Sequence, residues 1–287
     1  MVEVDAKLMA LVAALTFGMA PVTLKFAYRY GGNTNSGMVI GLAVAVPINF
    51  ALVPFMDPHW EQLNLGAIVG FVLGGLAGNA IGRTWLYQAI DLLGPARASV
   101  LRSTSPILTT LLALLIYQEA VTPVRWAAVV AIVLGGVLVS WTPGAGARGW
   151  LGAGMAFALL AALSYGVRPI FVKFGLEQAN LPLAGACIGA VVALAWSMLW
   201  DRSYIRETKV DRSFLWFFIG GILQAVALLA LTFGLSAGDV SLVYPLSASA
   251  PLFTLVFSAV FLRGVERITP RLVLGALAVM LGVIYVE

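Results

Sequence analysis

Apolar residues along this chain come in long blocks rather than in alternation. Ten blocks follow one another, over residues 6–29, 36–55, 64–90, 97–117, 122–141, 150–176, 180–200, 212–236, 240–262 and 268–286. About 20 apolar residues of α-helix cross the hydrocarbon core of a bilayer. Inside that core every backbone N–H and C=O must find its partner within the chain, which favours helices. The blocks therefore predict ten membrane helices joined by short connections. The longest connection, 201–211, carries Arg202, Arg206, Glu207 and Lys209, and 141–148 reads as a flexible linker. The first block holds Pro21 and Lys25, so it is expected to be structural rather than a cleaved leader.

The polar interruptions repeat. Leu15-Thr16-Phe17-Gly18-Met19-Ala20-Pro21-Val22-Thr23-Leu24-Lys25-Phe26 returns as Leu163-Ser164-Tyr165-Gly166-Val167-Arg168-Pro169-Ile170-Phe171-Val172-Lys173-Phe174, 148 positions later. Glu119-Ala120-Val121-Thr122-Pro123 returns as Glu266-Arg267-Ile268-Thr269-Pro270 at an offset of 147, and Ser105-Pro106 as Ala250-Pro251 at 145. Asn79 and Gln224, two amides inside apolar blocks, are also 145 apart. The repeat divides the chain into 1–146 and 147–287, five helices each. Five is odd, so the second copy must lie upside down relative to the first. The expected fold class is an all-α polytopic membrane protein, ten transmembrane helices in two inverted five-helix repeats. Gly66, Gly70, Gly74, Gly78 and Gly82 recur every fourth residue, which predicts one helix face open to close packing. A looser stripe runs through Gly221, Ala225, Ala230, Gly234 and Gly238.

Composition agrees with the blocks. The 287 residues are 61% hydrophobic and 10% charged, where a soluble domain carries about a quarter charged residues. Cys187 and His59 are single, which argues against disulfides, structural zinc and haem, and no cofactor is expected. The net charge of +4 resides mostly in connections beside the helices, the pattern of a membrane protein rather than a nucleic-acid binder. The expected partners are the lipid bilayer and a small-molecule substrate, with the chain a monomer or homodimer in a prokaryotic cell (inner) membrane. Ten loop cations (Arg29, Arg97, Arg148, Arg202, Arg206, Lys209, Arg212, Arg263, Arg267 and Arg271) share one side of the predicted topology, against Lys7 and Arg125 on the other. The positive-inside rule then predicts both termini outside.

Ten helices as five plus five, Gly-x-x-Pro in helices one and six, and E-x-x-T-P after helices four and nine resemble the drug/metabolite transporter superfamily, its EamA-type branch most of all. Leu93-Gly94-Pro95-Ala96-Arg97-Ala98-Ser99-Val100 and Gly238-Asp239-Val240-Ser241-Leu242-Val243-Tyr244-Pro245-Leu246, leading into helices four and nine, strengthen the likeness. The resemblance implies a secondary transporter of small metabolites, often an exporter, with a cavity lined by helices 1, 3, 4, 6, 8 and 9. It also implies cytoplasmic termini, opposite to the charge count. A channel or facilitator is the alternative. A membrane-embedded enzyme would need an acidic pair, a histidine or a metal cluster that the helices lack, and a structural subunit would not need the repeated defects.

Five cations fall inside the predicted helices: Lys25, Arg83, Arg102, Arg168 and Lys173. Each costs about 2.5–3.5 kcal/mol even on the lenient insertion scale, so each marks a pathway, a partner or a route to the interface. Lys25, Arg83 and Arg102 have the snorkelling alternative; Arg168 and Lys173 favour a cavity, and together the five would suit a carboxylate or phosphate. Asn79, Ser103, Thr104, Ser105, Gln224, Tyr244, Ser247 and Ser249 would make a moderately polar wall. Phe17, Trp85, Tyr165 and Phe233 are candidates for stacking on a planar substrate, and Trp60, Trp126, Trp141, Trp150, Trp200 and Trp216 for the interfacial belt. Pro21, Pro106, Pro169 and Pro251 are expected to be hinges that free carbonyls toward the cavity, Pro21 also being a candidate substrate contact. There is no P-loop, so no energy source is visible.

Overall fold

A computed structural model describes residues 5–32, 34–56, 59–93, 98, 101–102, 104–140, 153–200, 212–261, 274–275, 277–278 and 281. Among the described residues every regular element is helical. The longer elements are α1 (Ala6–Arg29), α2 (Thr34–Met56), α3 (Leu65–Gly74), α4 (Arg83–Leu93), α5 (Ser105–Ile116), α6 (Pro123–Ser140), α7 (Ala153–Gln178), α8 (Pro182–Trp200), α9 (Arg212–Ala237), α10 (Val240–Ser247) and α11 (Ala250–Phe261). A π-helical stretch, Gly75–Gly82, joins α3 to α4. Among the described residues, six helices are long and apolar enough to cross a membrane: α1, α2, the rod containing α3 and α4, α7, α8 and α9. Their outer faces carry large bare apolar side chains, Phe50, Leu65 and Leu199 among them. Water would penalise such a surface, and lipid does not.

The ends of the helices are set locally. The Asp5 carboxylate caps α1 by accepting from Lys7 N at 2.8 Å and Leu8 N at 3.3 Å, and Gly31 leaves the helix at φ +84°, where an L side chain would be strained. Asn64 caps α3 through Ala67 N at 2.9 Å, and its amide donates to Gln178 O at 2.9 Å, tying the start of α3 to the end of α7.

Element contacts come in twin pairs related by the repeat. The interface of α1 on α9 has its counterpart in α7 on the α3–α4 rod. The α2–α9 contact is mirrored by α8 against α3 and the π stretch, and α1 with α10 and α11 by α7 with α5. The twins reach the atomic scale. A methyl on Gly75 would stand 2.6 Å from Gly189 Cα, and one on Gly221 would stand 3.0 Å from Gly41 Cα, so both crossings bring two backbones together at a glycine. Buried Phe71 fills the space beside Gly185 just as buried Phe217 fills that beside Gly37, at 2.7 Å from the methyl each glycine lacks.

The five glycines spaced by four all face α7, in descending order. Gly66 meets Gln178, Gly70 meets Gly175, Gly74 meets Val172, Gly78 meets the Arg168 side chain, and Gly82 meets Ser164. The looser stripe serves a different neighbour at its far end, where Gly234 and Gly238 adjoin Ala6 of α1.

Pro21 and Pro169 lie inside helices, as expected. Pro106 and Pro251 do not. Helices four and nine are broken, and both prolines sit within the first two residues of the segment after the break, where a missing N–H costs no hydrogen bond. The breaks are twins at an offset of 145. Thr104 Oγ1 donates to Leu101 O at 2.7 Å, and Ser249 Oγ donates to Leu246 O at 2.7 Å. One turn later Thr109 Oγ1 bonds Ser105 O at 3.2 Å and Thr254 Oγ1 bonds Ala250 O at 3.1 Å. A hydroxyl closes the turn and the proline starts the next helix. Pro106 and Pro251, expected inside helices, thus begin helical segments instead, and neither interrupts a helix from within.

Candidate substrate cavity

A cavity of about 180 Å³ lies where the two repeats meet. Phe17, Ala20, Pro21, Thr23, Lys25 and Tyr28 of α1 face it, as do Asn79, Arg83 and Tyr87 of the α3–α4 rod. Arg102 and Ser105 complete the first repeat's wall. The second repeat contributes Tyr165 and Arg168 of α7, Trp216, Gln224 and Leu231 of α9, and Tyr244 and Ser247 of α10. These residues run from the middle of the bundle to the end where α1 and α4 finish and α2 and α9 begin, so the cavity reaches that end alone.

The cations on the wall are held unequally. Arg83 is buried, and its Nε and Nη2 donate to Tyr87 Oη at 3.3 and 3.2 Å, with the guanidinium 5.4 Å from the Tyr87 ring centre. The Arg102 guanidinium stands 5.0 Å over the Tyr165 ring. Arg168 is 4% exposed and its Nε has no hydrogen-bond partner. Its stem crosses the π stretch through the space that Gly78 leaves empty. Among the described residues that line the cavity there is no Asp or Glu.

Pro169 has no N–H to give to the carbonyl four residues back, which is that of Tyr165. Tyr244 Oη donates to this carbonyl at 2.7 Å and also lies 3.3 Å from Ser105 Oγ. Thr109 Oγ1 takes the next carbonyl, Gly166 O, at 2.8 Å. The freed carbonyl therefore locks α7 to α10 rather than waiting for a ligand.

The opposite end of the bundle is closed by polar contacts within the second repeat and between the two repeats. Lys173 Nζ donates to Leu235 O and Gly238 O, both at 3.2 Å, at the C-terminal end of α9. The Glu119 carboxylate accepts from Val240 N and Ser241 N, both at 2.9 Å, and so caps α10. Arg125 Nη1 bonds Ser241 Oγ at 3.1 Å and lies 3.5 Å from Asp239 Oδ2. Tyr117 Oη donates to Ile170 O at 2.7 Å.

The sequence profile of the EamA-like transporter family matches residues 6–141 and, a second time, 152–286. The chain belongs to the EamA-like transporter family. It is an integral, multi-pass membrane protein, and the members of this family are transporters rather than enzymes. An uncharacterized protein of Methanocaldococcus jannaschii is 27% identical over 128 residues, 44% of this chain and 90% of that protein. That relative thus has roughly the extent of one repeat. A solved crystal structure superposes with a TM-score of 0.74 at 21% identity, over 97% of this chain and 94% of its own, and shares the fold.

In this EamA-like chain the cavity gathers eleven of the substrate contacts expected from sequence: Phe17, Pro21, Lys25, Asn79, Arg83, Arg102, Tyr165, Arg168, Gln224, Tyr244 and Ser247. Ser103 lies outside the described residues. Three others point elsewhere. Trp85 stacks on Phe157, with ring centres 5.3 Å apart. Thr104 spends its hydroxyl on the break in helix four. Lys173, five residues beyond Arg168, is turned roughly 140° around α7 and reaches the end of α9 instead. Trp216, expected in the interfacial belt, stacks on Phe26 at 4.5 Å and joins the cavity wall. Sequence reasoning missed Tyr87, although its place four residues after Arg83 was the available signal. It also missed the closing set of Glu119, Arg125, Asp239 and Ser241, which only the tertiary fold brings together.

Proposed function

We propose that this chain is a secondary transporter that exports a small polar metabolite by alternating access, built as ten transmembrane helices in two inverted five-helix repeats. The observation that carries the reading is one cavity, walled by both repeats, open along one end of the bundle and latched at the other. The twin elements make the opposite state conceivable without new parts. Here α7 touches α9, whereas their counterparts, α1 and α4, make no comparable contact. Exchange the two arrangements, and Lys25 takes the role of Lys173. The offset of 146 would bring its ammonium to the carbonyls of Ala89 and Leu92 while Lys173 lets go of Leu235 and Gly238. The breaks at Thr104 and Ser249 and the prolines at 21 and 169 are the bending points of this exchange.

Purified protein in proteoliposomes tests the proposal. A carrier gives saturable flux and accelerated exchange when substrate is present on both sides. Flux that rises linearly with concentration, with no counterflow, would assign a channel instead.

A further inference from the structure

Within the transporter reading, we infer that the substrate is a small organic dianion that lacks an ammonium group, and that Arg168 is the anchor for one of its acidic groups. The cavity wall carries Lys25, Arg83, Arg102 and Arg168, with no carboxylate among the described lining residues. Arg83 and Arg102 have aromatic partners, Tyr87 and Tyr165. Arg168 has a buried Nε with no partner, and is 4% exposed. A buried guanidinium nitrogen without a partner is costly, and a carboxylate or phosphate relieves that cost through paired, charge-assisted hydrogen bonds.

The repeat shows that the fold does not require this side chain. The equivalent position in the first copy is Ala20, also on the cavity wall and also followed by a proline. The second copy places an arginine there, and the first repeat leaves Gly78 bare where its stem passes. A zwitterionic amino acid would need an acceptor for its ammonium. The lining offers the amides of Asn79 and Gln224 and a set of hydroxyls for that purpose, but four cations that repel it. A dicarboxylate or a phosphate monoester meets the same wall with matched charge.

The test is calorimetric titration of the purified, detergent-solubilised full chain with four probes of similar size: succinate, glycerol 3-phosphate, aspartate and butyrate. Succinate or glycerol 3-phosphate, or both, should bind at least about tenfold more tightly than aspartate and butyrate, the scale of one charge-assisted contact. Which of the two binds separates a dicarboxylate from a phosphate ester. Arg168→Gln should weaken the preferred probe by about tenfold or more, and Arg168→Lys should retain part of the affinity. The unliganded unfolding midpoint reports whether each variant is folded, and Arg168→Lys carries the test if Arg168→Gln is not. Three results would overturn the inference: aspartate binding as tightly as succinate, no binding of either dianion at millimolar concentration, or full affinity in a folded Arg168→Gln. Proteoliposome flux is read separately. Selective dianion binding without counterflow would sink the transporter reading and leave the anchor standing. Saturable flux of aspartate that Arg168→Gln does not alter would do the reverse.

Discussion

A single missing hydrogen explains one of the tightest contacts within the second repeat. Pro169 cannot bond the Tyr165 carbonyl, and the Tyr244 hydroxyl, 2.7 Å away, supplies what the helix lacks. Tyr244→Phe removes that donor and leaves the carbonyl buried and unpaired. Interhelical hydrogen bonds in membranes average about 0.6 kcal/mol and reach about 1.7 kcal/mol, so the variant is expected to lose about 1 kcal/mol, read as a lower unfolding midpoint in detergent. Phenylalanine keeps the ring, so a larger loss would have to come from somewhere other than packing. Gly78 makes a complementary case. Its empty Cβ position is where the Arg168 stem runs, so Gly78→Val forces the guanidinium off its place. Overpacking of this kind costs about 1–3 kcal/mol. If Arg168 serves substrate, flux in Gly78→Val should fall together with flux in Arg168→Gln. A Gly78→Val protein with normal flux would show that the position of Arg168 is immaterial.

At the scale of elements, the repeat was legible because it is written in residues that membrane helices otherwise avoid. Gly-x-x-Pro, the fourfold glycine spacing and the paired amides stand out against apolar blocks, and each marks a helix that packs as the periodicity predicts. The breaks in helices four and nine were less legible. A proline within an apolar run reads as a kink, and only the hydroxyl bonds from Thr104 and Ser249 show that the helix stops and restarts. Lys173 was misread for a rotational reason, since position within the block gives depth but not the side of α7 on which an ammonium emerges. Its actual place yields a prediction. Lys173 ties α7 to the end of α9, and hydrogen bonds to a charged group are worth about 1.5–3 kcal/mol, enough to shift a two-state population about tenfold or more. In a Cys187→Ala background, Ser241→Cys is buried at the closed end. Adding Lys173→Met should raise its rate of reaction with a membrane-impermeant thiol reagent by about that factor. An unchanged rate would mean that Glu119 and Arg125 hold the closure without the lysine.

For the whole molecule, the remaining question is which compartment the cavity faces, and charge and family habit answer it oppositely. In the proposed ten-helix topology, the cavity opens at the end of the bundle assigned the connections after helices one, three, five, seven and nine. Those connections hold ten cationic residues, against two at the latched end. Cytoplasmic loops keep Lys and Arg because translocating them is unfavourable, so the count places the open end in the cytoplasm and both termini outside. The resemblance to ten-helix relatives implies cytoplasmic termini, which would turn the same cavity outward. Residue 204 lies in the most basic connection and decides between them. With Cys187→Ala as background, Tyr204→Cys should react with an impermeant maleimide only after the cells are permeabilised. Labelling in intact cells would reverse the orientation and make the state described here outward-open. The two outcomes also assign the latch. With the termini outside, the contacts of Lys173, Glu119 and Arg125 form the outer gate, and an exported dianion enters past Tyr28 and Trp216. Membrane potential, negative inside, then drives its exit. With the termini inside, the same contacts form the inner gate; the potential acts on the direction of transport rather than on the orientation of the protein, so it drives export in either case.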